Sequence, residues 1–244
     1  MAMARKSKKT EAKPRRVRAK RPARRFLWRW SRRIVLGFVA LICLLVSLFA
    51  FVNPPTTLYM ASESRRLGGV AHDWIDIDYV APVMARSIVA AEDANYCLHW
   101  GFDMEAIRQV IEAGETRGAS TLSQQVVKNV YLWPARSYVR KALEAIITPV
   151  VELVWTKRRI IEVYMNVAEF DEGVFGVHAA AQHYFGVTPD QLTDVQAARL
   201  AAILPSPKER SASNPGQFVQ RRAASIRDGA ATILRDGRAD CFED

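Results

Sequence analysis

The sequence predicts a mainly α-helical domain preceded by a single N-terminal transmembrane helix. Two patterns carry this. Nineteen residues from Ile34 to Val52 carry no charge, and apolar residues then recur with helical spacing over most of residues 83–234. Strand-like alternation is weak and confined to Trp74–Tyr79. A chain of 244 residues, half of them hydrophobic and a quarter charged, has enough apolar side chains for a packed core, which excludes a fully disordered or collagen-like protein.

Residues 1–33 form the first segment, a basic tail. They hold 15 of the 35 Lys and Arg and one of the 25 acids, a charge of +14, whereas residues 34–244 carry −4. The overall +10 therefore belongs to the tail, and no positively charged domain accompanies it that would bind nucleic acid. Residues 34–52 follow as the membrane span. At about 1.5 Å per residue this helix is roughly 28 Å long, close to the hydrocarbon thickness of a bilayer. A cleaved signal peptide is the rival, but its apolar stretch is about 7–15 residues behind a short basic region, and 33 residues precede this one. Trp28, Trp30 and Tyr59 flank the span as interfacial aromatics, and Pro54 and Pro55 stop it. The basic tail orients the N-terminus toward the cytoplasm, which places residues 53–244 on the outer side as one domain.

In that domain helical periods cover Val83–Ala94, Met104–Ala113, Leu122–Leu132, Ser137–Trp155, Arg159–Val167, Val177–Phe185, Asp194–Leu204 and Gln217–Leu234. Thr121-Leu-Ser-Gln124 has capping-box spacing at a helix start, with Gly118 ahead of it for a tight turn. Pro134 and Pro149 are expected to end or kink their helices, and Leu204-Pro-Ser-Pro207 to terminate another. Cys43, Cys97 and Cys241 form no metal-binding spacing; they leave room for one Cys97–Cys241 bridge and require none.

Three segments carry candidate chemistry. Glu92 and Asp93 end the apolar stretch Ser87-Ile-Val-Ala-Ala91, with Asn95 and His99 just beyond; a glutamate desolvated there becomes a usable general base near neutral pH. In the second, Ser120, Thr121, Gln124, Gln125 and Lys128 surround a helix start, where free N–H groups and a lysine one turn in could seat a phosphate. The third combines Arg136, Arg140 and Lys141 with Glu144; Arg136 and Lys128 together can grip a pyrophosphate. No phosphate-binding P-loop, HExxH, GxSxG, S-x-x-K or K-T-G pattern occurs, so nucleotide hydrolysis, metalloprotease, serine-hydrolase and transpeptidase chemistries are unsupported. His178 and His183 are expected to pack rather than ligate.

The order of these segments resembles the motif series of the bacterial peptidoglycan glycosyltransferases, glycosyltransferase family 51. The matching residues are Glu92-Asp93-x-x-Tyr96-x-x-His99-x-Gly101, Gly118-x-Ser120-Thr121-x-x-Gln124-Gln125-x-x-Lys128, Arg140-Lys141-x-x-Glu144 and Ile160-Ile-x-x-Tyr164-Met-Asn166. Ala179-Ala-Ala-x-x-Tyr184-Phe185-Gly186 and Leu204-Pro-Ser-Pro207 extend the likeness over roughly residues 55–215. Tyr96, Ala119 and Met165 stand where phenylalanine, glycine and leucine are usual, and none of the three removes a charged or hydrogen-bonding group. With no transpeptidase motif following, the chain is similar to the monofunctional members.

The resemblance implies a lysozyme-like helical fold at the outer face of the bacterial cytoplasmic (inner) membrane. It also implies polymerisation of lipid II into β-1,4-linked glycan, with inversion and release of undecaprenyl diphosphate. Glu92 would be the base and Glu144 a second catalytic glutamate, orienting cations or helping to hold a divalent ion. Lys128 and Arg136 would stabilise the leaving pyrophosphate. Ser120, Thr121, Gln124 and Gln125 would shape the donor site, supported by Asn95, Tyr164 and Asn166, with Asp93 and Arg140 also in contact with substrate. A divalent cation, magnesium or manganese, is the one cofactor it suggests. Expected partners are lipid II, the growing glycan, the membrane and other cell-wall synthesis or division proteins, with no nucleic acid. Two alternatives from other classes are a lytic transglycosylase or lysozyme-type hydrolase, which would need no lysine and arginine beside its acid, and a membrane-anchored scaffold without activity. Trp133, Ile146, Ile147, Val150 and Val151 are expected to serve mainly the core, with membrane contact as the second use.

Overall fold

In a computed structural model of the chain, the described residues are 22–114, 120–135 and 137–243. The first helix, α1, runs Pro22–Phe49; within it Trp28–Phe49 has a mean hydropathy of 2.2 and is long and apolar enough to cross a membrane. It starts at Pro22, ahead of the uncharged run, because residues 23–33 contain no proline or glycine to break it, and it ends before Asn53-Pro54-Pro55.

Two compact units are distinguished, Met1–Ile42 and Cys43–Asp244. The last turns of α1 belong to the second, where their carbonyls find side-chain donors. Trp155 Nε1 donates to the Val46 carbonyl at 2.7 Å, and Arg159 reaches the carbonyls of Phe49 and Val52 at 3.1 and 3.0 Å. A helix end leaves its last carbonyls unpaired, and here an indole and a guanidinium satisfy them.

The remaining helices are α2 (Leu58–Leu67), α3 (Pro82–Glu92), α4 (Met104–Glu112), α5 (Leu122–Tyr131), α6 (Tyr138–Val154), α7 (Lys157–Val167), α8 (Gly176–Phe185), α9 (Asp194–Ile203), α10 (Gln217–Arg235) and α11 (Asp240–Glu243). All eight helices predicted for the domain form. The Thr121 capping box forms as its spacing requires, with Thr121 Oγ1 accepting from the Gln124 N–H and Gln124 Oε1 from the Thr121 N–H. Pro149 lies inside α6 without ending it, because Thr148 and Val151 beside it are fully buried and packing carries the helix through. One expectation fails. Trp74–Tyr79 is not a strand: Asn166 takes both the N–H and the carbonyl of Ile75 at 2.9 Å, replacing a ladder partner, and Ile77–Tyr79 closes as a 3-10 turn.

The small sheet lies elsewhere. β1 (Ala71–His72), β2 (Glu169–Asp171) and β3 (Val174–Phe175) are ordered β1-β3-β2, with β1 parallel and β2 antiparallel to β3; Ala71 sits opposite Val174. The three strands pack on α8, while α3 packs against α9 and α10, and α5 against α6 and α7. Met84, Ile88, Leu122, Val126, Ile160, Ile161, Leu200 and Ile203 are fully buried, each contributing roughly 1.5–3 kcal/mol by leaving water. The end of α3 is joined to the start of α5 by the Leu122 N–H, which donates to Asp93 Oδ2 at 2.9 Å. Of the five residues weighed for core or membrane, Ile147 and Val151 are core, whereas Ile146 is 67% exposed and Trp133 36%. Cys97 and Cys241 are joined by a disulfide, tying the 3-10 turn Tyr96–Leu98 to α11.

Candidate active site

The site begins where the apolar face of α3 runs out. Glu92 is its last helical residue, 15% exposed at its side chain, and burial pushes its carboxyl above the ordinary glutamate value. The Gln125 amide, the Arg222 guanidinium and the Lys128 ammonium oppose that shift, and the Asp93 charge adds to it. Gln125 Nε2 donates to Glu92 Oε2 at 3.0 Å, while Gln125 Oε1 accepts from the Tyr164 hydroxyl at 3.3 Å. A buried tyrosine on α7 thus aims an amide on α5 at the carboxylate on α3.

Lys128 follows Gln125 by three residues on α5. Burial lowers its ammonium below the ordinary lysine value, against the attraction of Glu144 and Glu92, while Arg140 and Lys141 add to the lowering. Lys128 is thus influenced by the acid at the end of α3 and by the charges of Arg140, Lys141 and Glu144 on α6. Glu144, only 3% exposed, accepts from Arg140 Nη1 at 3.2 Å and from Lys141 Nζ. Arg140 Nε is held by the Ala135 carbonyl at 2.9 Å, and Lys141 Nζ donates to Ser120 Oγ at 3.1 Å. Glu144 therefore fixes two cations while itself staying out of reach. A buried carboxylate of this kind is an organiser, and the cations it fixes are what an anion meets.

A cleft of about 250 Å³ opens beside this end of α3, lined among others by Glu92, Asp93, Asn95, Asp103, Ala106 and Ser120. Asn95 crosses it to Asp103, donating to Oδ2 at 2.9 Å, and Asp103 Oδ1 caps α4. Asp93 faces inward: Oδ2 accepts the Leu122 N–H at 2.9 Å and Oδ1 lies 2.8 Å from His99 Nε2. Thr121 Oγ1 donates to the Gly101 carbonyl at 2.7 Å, and Gly101 must be glycine, since its φ is +83° and a Cβ would lie 2.6 Å from Thr148 Cγ2.

The sequence-predicted residues thus divide. Glu92, Gln125, Lys128, Arg140, Glu144 and Ser120 come together. Asp93, Thr121 and Gln124 direct their polar atoms at protein and build the turn that supports the others. Asn166 grips Ile75 rather than the cleft. Arg136 and Gly118 lie outside the described residues. The start of α5 is not open to phosphate as expected: Asp93 takes the first N–H and the capping box the third. His178 and His183 stand beside Asp73 and Asp171 as surface pairs.

Among the described residues, the carboxylates that could hold a divalent cation are already engaged by protein groups. Both oxygens of Glu144 are engaged by cations. Ligand atoms of Asp93, His99 and Asp103 lie within 4.8 Å of one another, but all four carboxylate oxygens already serve His99, Leu122, Asn95 and the start of α4.

Two residues carry more than sequence patterns assigned to them. Lys141 shares Glu144 with Arg140, a relation its i,i+3 spacing announces. Arg222 of α10 approaches Glu92 from a helix 130 residues away, with no local signal at all.

A desolvated carboxylate facing a cluster of fixed cations is the constellation of an enzyme that removes a proton from one group while an anionic leaving group departs from another. The family model for transglycosylase matches residues 61–230. The chain is 56% identical over 240 residues to a biosynthetic peptidoglycan transglycosylase of Jannaschia sp. (strain CCS1), covering 98% of this chain and 99% of that protein. It is 45% identical over 225 residues to one of Caulobacter vibrioides, covering 89% and 98%, and 44% identical over 228 residues to one of Xanthomonas campestris pv. campestris, covering 89% and 92%. The chain belongs to the transglycosylase family, and it is a glycosyltransferase.

Proposed function

We propose that this enzyme polymerises the glycan of peptidoglycan from lipid II. Glu92 acts as the general base. Its carboxylate accepts the proton of the 4-hydroxyl of the acceptor N-acetylglucosamine, whose oxygen forms the new bond to the anomeric carbon of the donor N-acetylmuramic acid. The bond from that carbon to the phosphate oxygen breaks, the electron pair leaves with undecaprenyl diphosphate, and the configuration inverts. Burial makes Glu92 a stronger proton acceptor than a solvated carboxylate, and Gln125 fixes its direction. Lys128, with Arg140 and Lys141 steadied by Glu144, supplies the positive charge that the departing diphosphate requires, and Arg136 is assigned to the same group.

What supports this reading is that Glu92 and Ser120 line one cleft, with Ser120 bonded to Lys141 of the Glu144 cluster and Glu92 bonded to Gln125, one turn before Lys128 on α5. A hydrolase that only protonates a glycosidic oxygen has no use for three cations there. Anchoring supports it as well, because a polyprenyl-linked substrate stays in the bilayer and an enzyme tethered beside it searches a surface rather than a volume. The basic tail favours a cytoplasmic N-terminus and an outward-facing domain at the cytoplasmic membrane. The Cys97–Cys241 bridge favours the same side, since structural disulfides persist in oxidising compartments. Cell-wall synthesis or division proteins are expected neighbours there.

The test is incubation of the purified full-length protein with lipid II. Glycan polymer should form, and Glu92→Gln should abolish it while leaving the helical circular dichroism unchanged. Shortening of preformed glycan without any polymer would establish the hydrolase instead, and polymer formation by Glu92→Gln would remove the base.

A further inference from the structure

Arg222 projects from α10, the long helix that closes the domain, toward the end of α3. Its Nη2 donates to the Ala91 carbonyl at 3.1 Å and lies 3.5 Å from Glu92 Oε1. Each member of this contact keeps a buried polar atom without a hydrogen-bond partner among the described residues: Arg222 Nε on one side and Glu92 Oε1 on the other. The second carboxylate oxygen, Oε2, is already taken by Gln125. Glu92 is therefore bracketed, with a neutral amide on one oxygen and a guanidinium beside the other. The oxygen on the arginine side is the one left without a hydrogen bond among the described residues, and it is buried against the guanidinium.

We infer that Arg222 is a positioning residue for the base: it ties α10 to the Ala91 carbonyl, next to last in α3, and holds the Glu92 carboxylate ionised and fixed in direction from its Oε1 side. This rests on Glu92 being the base. The charged and titratable groups facing Glu92 are Asp93 from its own helix end, Lys128 from α5, Tyr164 from α7 and Arg222 from α10. Among them Lys128 is assigned to the leaving group, Asp93 has the wrong sign, and Tyr164 is neutral because burial pushes its hydroxyl far up. Arg222 is the remaining cation in that set, and its Ala91 hydrogen bond gives it a fixed geometry that a mobile surface arginine lacks.

The experiment is the pH dependence of lipid II polymerisation by full-length wild type, Arg222→Gln, Arg222→Lys and Glu92→Gln, with thermal unfolding of each. An opposite charge at this range typically moves a carboxylate by 1–3 pH units, and Arg222 is part exposed, so Arg222→Gln should move the acidic limb of kcat/KM upward by about one pH unit. The rate should then fall about tenfold on the acidic side and recover toward high pH. Arg222→Lys keeps the charge and loses the fork; it should keep the wild-type limb with a lower kcat. A role confined to folding would lower the unfolding temperature of both variants and leave the limb where it was, and that result overturns the inference. Polymerisation by Glu92→Gln would instead remove the base itself, a separate failure that this set of variants identifies.

Discussion

Asp93→Ala distinguishes a supporting aspartate from one that touches substrate, and the structure sets its cost. The Asp93 side chain is 2% exposed and accepts the Leu122 N–H at 2.9 Å, with His99 Nε2 at 2.8 Å on its other oxygen. Removing the carboxylate strands two buried donors, each at about 1–3 kcal/mol, or about 4 kcal/mol together. For a domain of this size about 2–4 °C is lost per kcal/mol, so the apparent Tm should fall by roughly 10 °C. Asp93→Asn keeps one acceptor oxygen and should lose about half as much. Differential scanning fluorimetry of the detergent-purified full-length protein measures both, and lipid II kinetics on the same samples should show kcat falling as the Glu92 turn loosens. If Asp93→Asn unfolds at the wild-type temperature and raises KM alone, Asp93 contacts substrate and the reasoning from its hydrogen bonds is wrong.

Three further outcomes follow from the same geometry. Because burial raises Glu92 and lowers Lys128, kcat/KM should climb as Glu92 loses its proton above the usual carboxylate range and decline as Lys128 loses its own below the usual lysine range. Lys128→Arg should extend the alkaline limb and leave the acidic one in place; a rate that is flat from about pH 5 to about pH 10 contradicts both assignments. Glu144→Gln frees Arg140 and Lys141 from their shared partner and should cut kcat by about 100-fold or more, the scale of one lost charge-stabilising contact. Glu144→Asp should regain part of that rate, and equal activity in all three proteins would show that the cations need no organiser. Replacing Cys97 and Cys241 by serine opens a closure spanning 144 residues, which on chain entropy costs up to about 4–5 kcal/mol. Reductant should destabilise the wild type by a similar amount and leave the double variant unaffected, as read by chemical unfolding.

Much of the fold was legible because it is locally encoded. Apolar spacing marks the eight helices from α3 to α10, and the Thr121 box announces the start of α5 by the same two hydrogen bonds that form there. What escaped is short or depends on distant partners. The strands hold two or three residues each, too few for alternation to register, and α2 is a ten-residue helix whose Glu63 is satisfied by Arg66 nearby and by Lys208 far along the chain. The grip of Asn166 on Ile75 spans 91 residues and overrides the strand pattern of 74–79. In the site, Glu92, Lys128 and Glu144 could be named from their types and spacing. The pairing of Glu92 with Gln125, the inward turn of Asp93 and the approach of Arg222 are products of helix packing and carry no local mark.

Since Asp93 and the helix's own cap take the first and third N–H groups of α5, an anion bound by Lys128 and the cations around Glu144 would meet jointed side-chain arms rather than a row of main-chain amides. Rigid amides would reward one placement and hold it. Ammonium and guanidinium tips on long stems can follow a charge through small displacements and let it go when counterions compete, so the strength of this grip responds to ionic strength in a way a backbone cradle would not. If the leaving group is the lipid diphosphate proposed above, such compliance favours turnover over retention.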